Sequence, residues 1–147
     1  MQIETTRFGL LPIDENQVIT FPEGLPGFES HRRFTLVQHP GSDGRSPFQW
    51  LQSVDDGALA FLAVEPHVIF PSYAPRLPKA DLDSLCLNGL QGDAPKLYSI
   101  LTIPKGDPEG ITANLLAPVV VNIRKRVAKQ VVAAGEEYGL RHRLVPN

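Results

Sequence analysis

The sequence predicts a mainly β fold, a small antiparallel β-barrel-like single domain with one short helix, on three observations. Fourteen prolines and twelve glycines are spread along all 147 residues, and they cut the chain into short pieces rich in β-branched and aromatic side chains, the pattern of strands and turns. Helical spacing is confined to one stretch. Strands this short, with little helix to cover their edges, avoid open edges best by closing on themselves.

In chain order, strands are expected at residues 6–11, 17–21, 34–38, 48–53, 60–64, 97–103, 112–115, 119–123 and 128–132, each bounded by turn residues. QVITF and FTLVQ alternate like strands with one face in solvent, whereas LYSILTI and VVVNI suit burial on both faces. Between the second and third strands lies FPEGLPGFESHRRF, residues 21–34. A phosphate cradle needs convergent backbone N–H groups. Pro22 and Pro26 have none to give, and a strand rather than a helix follows, so the stretch reads as a turn. Asp55-Asp56-Gly57 joins WLQSV to LAFLAV as a hairpin signal rather than a catalytic carboxylate pair. The helix is placed at 79–87, where Leu82, Leu85 and Cys86 share a face and Asn88-Gly89 can stop it. Residues 133–138 fit a helical turn or a loop.

A length of 147 residues suits one core, so residues 1–147 are taken as one domain. A hydrophobic fraction of 42% and a charged fraction of 20% exclude a disordered chain. There is no span of about 20 apolar residues and no signal-peptide layout, so a cytoplasmic protein is expected. The single Cys86 has no disulfide or zinc partner and is expected to be a buried small residue. A net charge of −2 gives no global drive onto nucleic acid or an anionic membrane.

The residues offer little catalytic chemistry. His31, His39, His67 and His142 lack the i+3 or i+4 spacing of a metal pair, and Ser72, Ser84 and Ser99 lack a nucleophile-elbow context. No cofactor or metal is expected. The basic run Arg124, Lys125, Arg126 and Lys129, with Arg141, His142 and Arg143 further on, reads as a solvated strand end. Its functional alternative is a small nucleic-acid-binding barrel; a hydrolase built from scattered carboxylates is a further alternative. Trp50 is expected to be buried. Phe21 and Phe34 are expected in the core. Leu25 and Phe28, on a Pro/Gly loop, need a cover from this chain or another, and are the candidate partner-binding residues.

Three phrases, ITFPEGLPGFE, PFQWLQSVDDGALAFLAVEP and TANLLAPVVVN followed by RVAKQVV, stand in order over most of the chain, with Tyr138 and Arg141-His142 near its end. Together they resemble the flagellar assembly factor FliW family. The resemblance implies a small antiparallel β-barrel, no enzyme activity, and binding to two alternative partners, flagellin and the translational regulator CsrA. In such a circuit the free factor holds the repressor off flagellin message until flagellin accumulates and takes the factor away. Direct nucleic-acid and membrane contacts are not implied, and a monomer is expected. Residues 37–46 and 75–92 depart from the family pattern. GLPGFE would be a signature turn with Phe28 packing back on the fold.

Overall fold

Period-two alternation builds the centre of the molecule. In the computed structural model, which describes residues 1–38, 46–87, 95–107 and 110–144, β4 (Arg33–Gln38), β5 (Phe48–Ser53) and β6 (Ala60–Val64) form an antiparallel meander with Leu36, Leu51 and Phe61 in cross-strand register. β6 pairs with β7 (Lys96–Thr102), and β7 pairs on its other side with β8 (Thr112–Ala113) and β9 (Val119–Asn122). β9 turns back into β10 (Val127–Gln130), which meets β3 (Ile19–Thr20) in a parallel pairing, and β3 returns to β4. The path β3-β4-β5-β6-β7-β9-β10 therefore closes on itself as a seven-strand barrel. The mainly β, barrel-like expectation holds. Closure leaves few unpaired edges, as strands of two to seven residues require.

Phe21, Phe34, Leu51, Tyr98, Val119 and Val121 are buried together with Ile19 and Ala128 in the barrel core. β9 is buried along its whole length because its other side is covered too: Val120 packs with Leu85, Leu87 and Val131 beneath α2 (Lys79–Ser84). Fully buried Asn122 ties these layers. Its Nδ2 donates to Leu85 O at 2.8 Å and its Oδ1 accepts from Lys125 N at 3.1 Å.

Two expected strands change at the N-terminal end. Residues 6–11 are not one strand, because β1 (Gln2–Thr5) and β2 (Gly9–Pro12) form a hairpin whose turn is residues 6–8. Thr5 Oγ1 donates to Gly9 O and accepts from Phe8 N, both at 2.8 Å, and Gly9 takes φ +65°; such local side-chain bonds compete with an extended run. Residues 17–21 shrink to β3, since Asp14 caps a 3₁₀ turn at Glu15–Gln17. The hairpin docks where Thr6 N donates to Gly57 O at 3.0 Å, and a Cβ on Gly57 would stand 1.8 Å from Glu4 O. Arg7 lies 3.9 Å over the Trp50 ring, so Trp50 is half-buried beneath its own chain rather than lost in the core.

A second short helix, α1 (Pro66–Ile69), joins the one expected, starting on a proline at its first position. α2 stops at Ser84, three residues earlier than expected, and Asn88-Gly89 lie outside the described residues. Its end is a Schellman motif, with Leu87 N bonded to Leu82 O at 2.8 Å and Cys86 N to Asp83 O at 3.0 Å. Cys86 holds the left-handed position at φ 59° and is exposed, which corrects the expectation of a buried residue. Glycine suits that position, so Cys86→Gly is expected to raise stability by about 0.5–1 kcal/mol. A lowered midpoint in urea would contradict this. Residues 133–138 form a loop, with Ala134 bridged to Arg76, and a last strand, β11 (His142–Arg143), pairs with β8.

Candidate partner-binding surface

The Pro/Gly loop is a built structure. Leu25-Pro26-Gly27-Phe28 closes with Phe28 N donating to Leu25 O at 2.7 Å, with Gly27 at φ +84°. Pro second and a left-handed Gly third is the chemistry of a type II turn. Flanking turns close from Gly24 N to Phe21 O at 2.9 Å and from His31 N to Phe28 O at 3.0 Å. The Gly27 N–H is occupied by the chain's own Glu29 carboxylate at 2.7 Å, in keeping with a turn rather than an anion cradle.

Leu25 and Phe28 point to different places. Leu25 is 2% exposed within the barrel core, so burial removes it from the accessible surface; Phe28 is 36% exposed, its ring edge-on to Phe61 at 5.3 Å and near His31 at 6.1 Å. The turn thus hides its leucine and displays its phenylalanine. The expectation that Phe28 is the residue closing the loop onto the core is reversed: Leu25 does so.

The same loop is anchored by charge. Asp55, in the β5–β6 turn, accepts from Arg33 Nη2 at 2.6 Å, Arg33 Nε at 3.0 Å and Arg33 N at 3.2 Å. Burial pushes the Asp55 carboxyl up, but the hydrogen bonds and charge of Arg33 outweigh it and hold the group below its ordinary value of 3.8. A lowered folded-state value means stability that is present above 3.8 and lost as pH falls through the folded value. Asp55→Asn should therefore cost about 1 kcal/mol at pH 7, with water competing for the half-exposed arginine. The gap to the parent should close below pH 3.8. An equal gap in denaturation midpoint at pH 7 and pH 3 would refute the assignment.

Sequence reading missed a second feature, an aromatic cleft of about 390 Å³ lined by Phe70, Tyr73, Leu115, Tyr138 and His142. Tyr73 and Tyr138 meet edge-on at 4.7 Å; Tyr73 Oη donates to Leu115 O at 2.6 Å, Tyr138 Oη accepts from Ala74 N at 2.9 Å, and His142 Nε2 accepts from Gly139 N at 2.7 Å. Burial, then the neighbouring Tyr138, raises the Tyr73 hydroxyl above its ordinary range. At the rim, Glu137 is held low by its own backbone N–H and then by Arg76.

The basic run is only partly a solvated strand end. Arg124 and Lys125 are exposed on the β9–β10 turn. Arg126, at φ 55°, closes that turn through its N–H to Asn122 O at 2.8 Å and donates from Nη2 to Gln17 O at 2.6 Å. Lys129 is 22% exposed and bridges Asp81 at 2.5 Å and Glu23 at 3.3 Å, the Asp81 bond first among the causes that raise its pKa. With two of its cations committed inside the fold, the run loses much of what a nucleic-acid groove needs. Among the described residues no cluster of three His, Cys, Asp or Glu side chains can hold a metal, and the one serine–histidine hydrogen bond joins neighbours Ser30 and His31 at 3.4 Å. No helix among them is long and apolar enough to cross a membrane.

The family model for FliW protein matches residues 2–144. The chain belongs to the FliW family. Among similar proteins named flagellar assembly factor FliW, that of Moorella thermoacetica is 38% identical over 144 residues, covering 98% of this chain and 88% of the relative. That of Geobacillus kaustophilus is 42% identical over 147 residues, with 99% and 96% covered, and that of Bdellovibrio bacteriovorus is 42% identical over 141, with 96% and 77% covered. A crystal structure of the flagellar assembly factor FliW superposes with a TM-score of 0.86 at 37% identity, covering 99% of this chain and 98% of that one. FliW proteins are assembly factors rather than enzymes, so the FliW assignment moves attention from catalytic groups to the exposed Phe28 turn and the aromatic cleft.

Proposed function

We propose that this FliW-family protein is a cytoplasmic flagellar assembly factor that binds flagellin and the translational regulator CsrA in turn, relieving repression of flagellin translation until flagellin takes it away. The match to the FliW family over residues 2–144 carries this reading. Phe28 is the contact we assign to partner binding: an exposed aromatic, held by a rigid turn and backed by Phe61, loses little conformational freedom when covered.

The acidic side chains favour binding beside the repressor's RNA surface over imitation of RNA. Asp55 is paired with Arg33, Asp81 and Glu23 with Lys129, Glu65 with Lys96 and Glu137 with Arg76. A mimic of a phosphate backbone needs uncompensated negative charge instead. Inhibition of RNA binding by this protein should then persist at saturating RNA; a purely competitive shift in apparent affinity would sink that part of the proposal.

Calorimetry with purified flagellin and purified CsrA tests the binding reading. The parent should bind each, and Phe28→Ala, folded as the parent is, should lose about tenfold or more toward at least one of them. Undiminished affinity for both would remove Phe28 from the interface, and absence of binding by the parent would overturn the function.

A further inference from the structure

One end of the barrel is an open polar mouth of about 280 Å³, lined by Gln17, Thr35, Gln38, Gln49, Tyr98 and Arg126 together with two aliphatic residues. Its walls come from separate elements: Gln38 ends β4, Gln49 is second in β5, Tyr98 lies on β7, and Arg126 immediately precedes β10. Among the described residues, the lining has one cation, three carboxamides and two hydroxyls, and no carboxylate.

Two buried polar atoms on these lining residues, Gln49 Oε1 and Arg126 Nε, have no hydrogen-bond partner among the described residues. Native folds leave few such groups, and each calls for a cause. Arg126 is also one of two non-glycine residues with positive φ among those described, at 55°, and such strain gathers at functional sites. Its Nη2 is anchored to Gln17 O at 2.6 Å and Gln17 Oε1 at 3.3 Å, which fixes the guanidinium and leaves its Nε edge unused. After burial, two charges act on the Tyr98 hydroxyl in opposite senses, Glu65 first and then Arg126, and Glu65 is itself paired with Lys96.

A donor-rich mouth with a fixed cation, whose described lining holds no carboxylate, suits a ligand that only accepts hydrogen bonds and carries negative charge. The Gln49 amide presents its NH₂ in place of its oxygen by a half-turn about its last side-chain bond, since the two ends are nearly the same size. We propose that the barrel mouth is a carboxylate-binding site, taking either a small free acid or the acidic side chain of a peptide, with Arg126 and Tyr98 as its principal donors. A volume of about 280 Å³ admits a carboxylate and the short chain that carries it. Nothing in this site depends on Phe28 or on the identity of the protein partners.

The test follows the ¹⁵N–¹H signal of Arg126 Nε in the full chain while sodium acetate replaces sodium chloride at constant ionic strength. A saturable shift is expected with acetate and not with acetamide. Tyr98→Phe, which keeps the ring and removes one donor, should weaken acetate about tenfold, and Gln49→Met should weaken it as well should the tyrosine variant fail to fold. A capped Gly-Glu-Gly peptide distinguishes the sources: tighter binding than acetate assigns the site to an acidic side chain, and weaker binding assigns it to a free acid. A linear shift shared by acetate and chloride, or equal binding of acetamide, would overturn the proposal.

Discussion

Leu25→Ala is expected to destabilise the fold by about 2–5 kcal/mol, the usual range for emptying a buried leucine site. Phe28→Ala, three residues further along the same turn, should cost only about 1 kcal/mol. The ordering follows from burial. Leu25 is 2% exposed among Phe21, Phe34 and Leu51, and its loss leaves a void that a closed barrel cannot collapse into. Phe28 gives up one edge-on contact with Phe61 and some half-exposed area. Urea denaturation of both variants checks this. Equal midpoints, or a larger loss for Phe28→Ala, would show that the turn is held by the phenylalanine after all.

Gly24→Ala is the second large effect. At φ +67° an L side chain costs about 1–2 kcal/mol, and a Cβ there would lie 2.5 Å from Glu29 Cα and 2.7 Å from Glu29 O. Those neighbours are backbone, so relief requires moving the turn itself, an overpacking cost of about 1–3 kcal/mol. The expected total is about 2–5 kcal/mol by the same denaturation measurement. Gly27→Ala is the control: φ is +84° but nothing lies within 4 Å, so only the conformational part remains. Similar losses for the two variants would mean that the close approach of Glu29 is unimportant.

These two glycines mark the limit of what sequence reading reached. Pro26-Gly27 announces a turn by composition alone, and the bounds of β5 and β6 follow from aromatic and β-branched runs flanking an Asp-Gly signal. Which side chain of LPGF turns inward depends on where the turn sits over the barrel, and local sequence holds no such information. Cys86 misled for a related reason: an apolar neighbourhood suggests burial, but the helix ends at that point in a left-handed residue that must face out. The first hairpin hid behind Thr5, whose hydroxyl bonds replace the extended run that β propensity suggests. Tyr73 and Tyr138, 65 positions apart, meet only because the segment after α1 and the segment before β11 cross the same face. Isolated tyrosine and histidine near the C-terminal end were the only signal of that cleft.

Partner exchange is the central claim, and displacement measures it directly. A complex of this protein with CsrA, labelled on CsrA, is titrated with purified flagellin while the size of the labelled species is followed by fluorescence anisotropy. Release of free CsrA in step with flagellin added, reversed by excess CsrA, is the result predicted. Retention of CsrA at saturating flagellin, whether because flagellin does not bind or because all three associate, would contradict it.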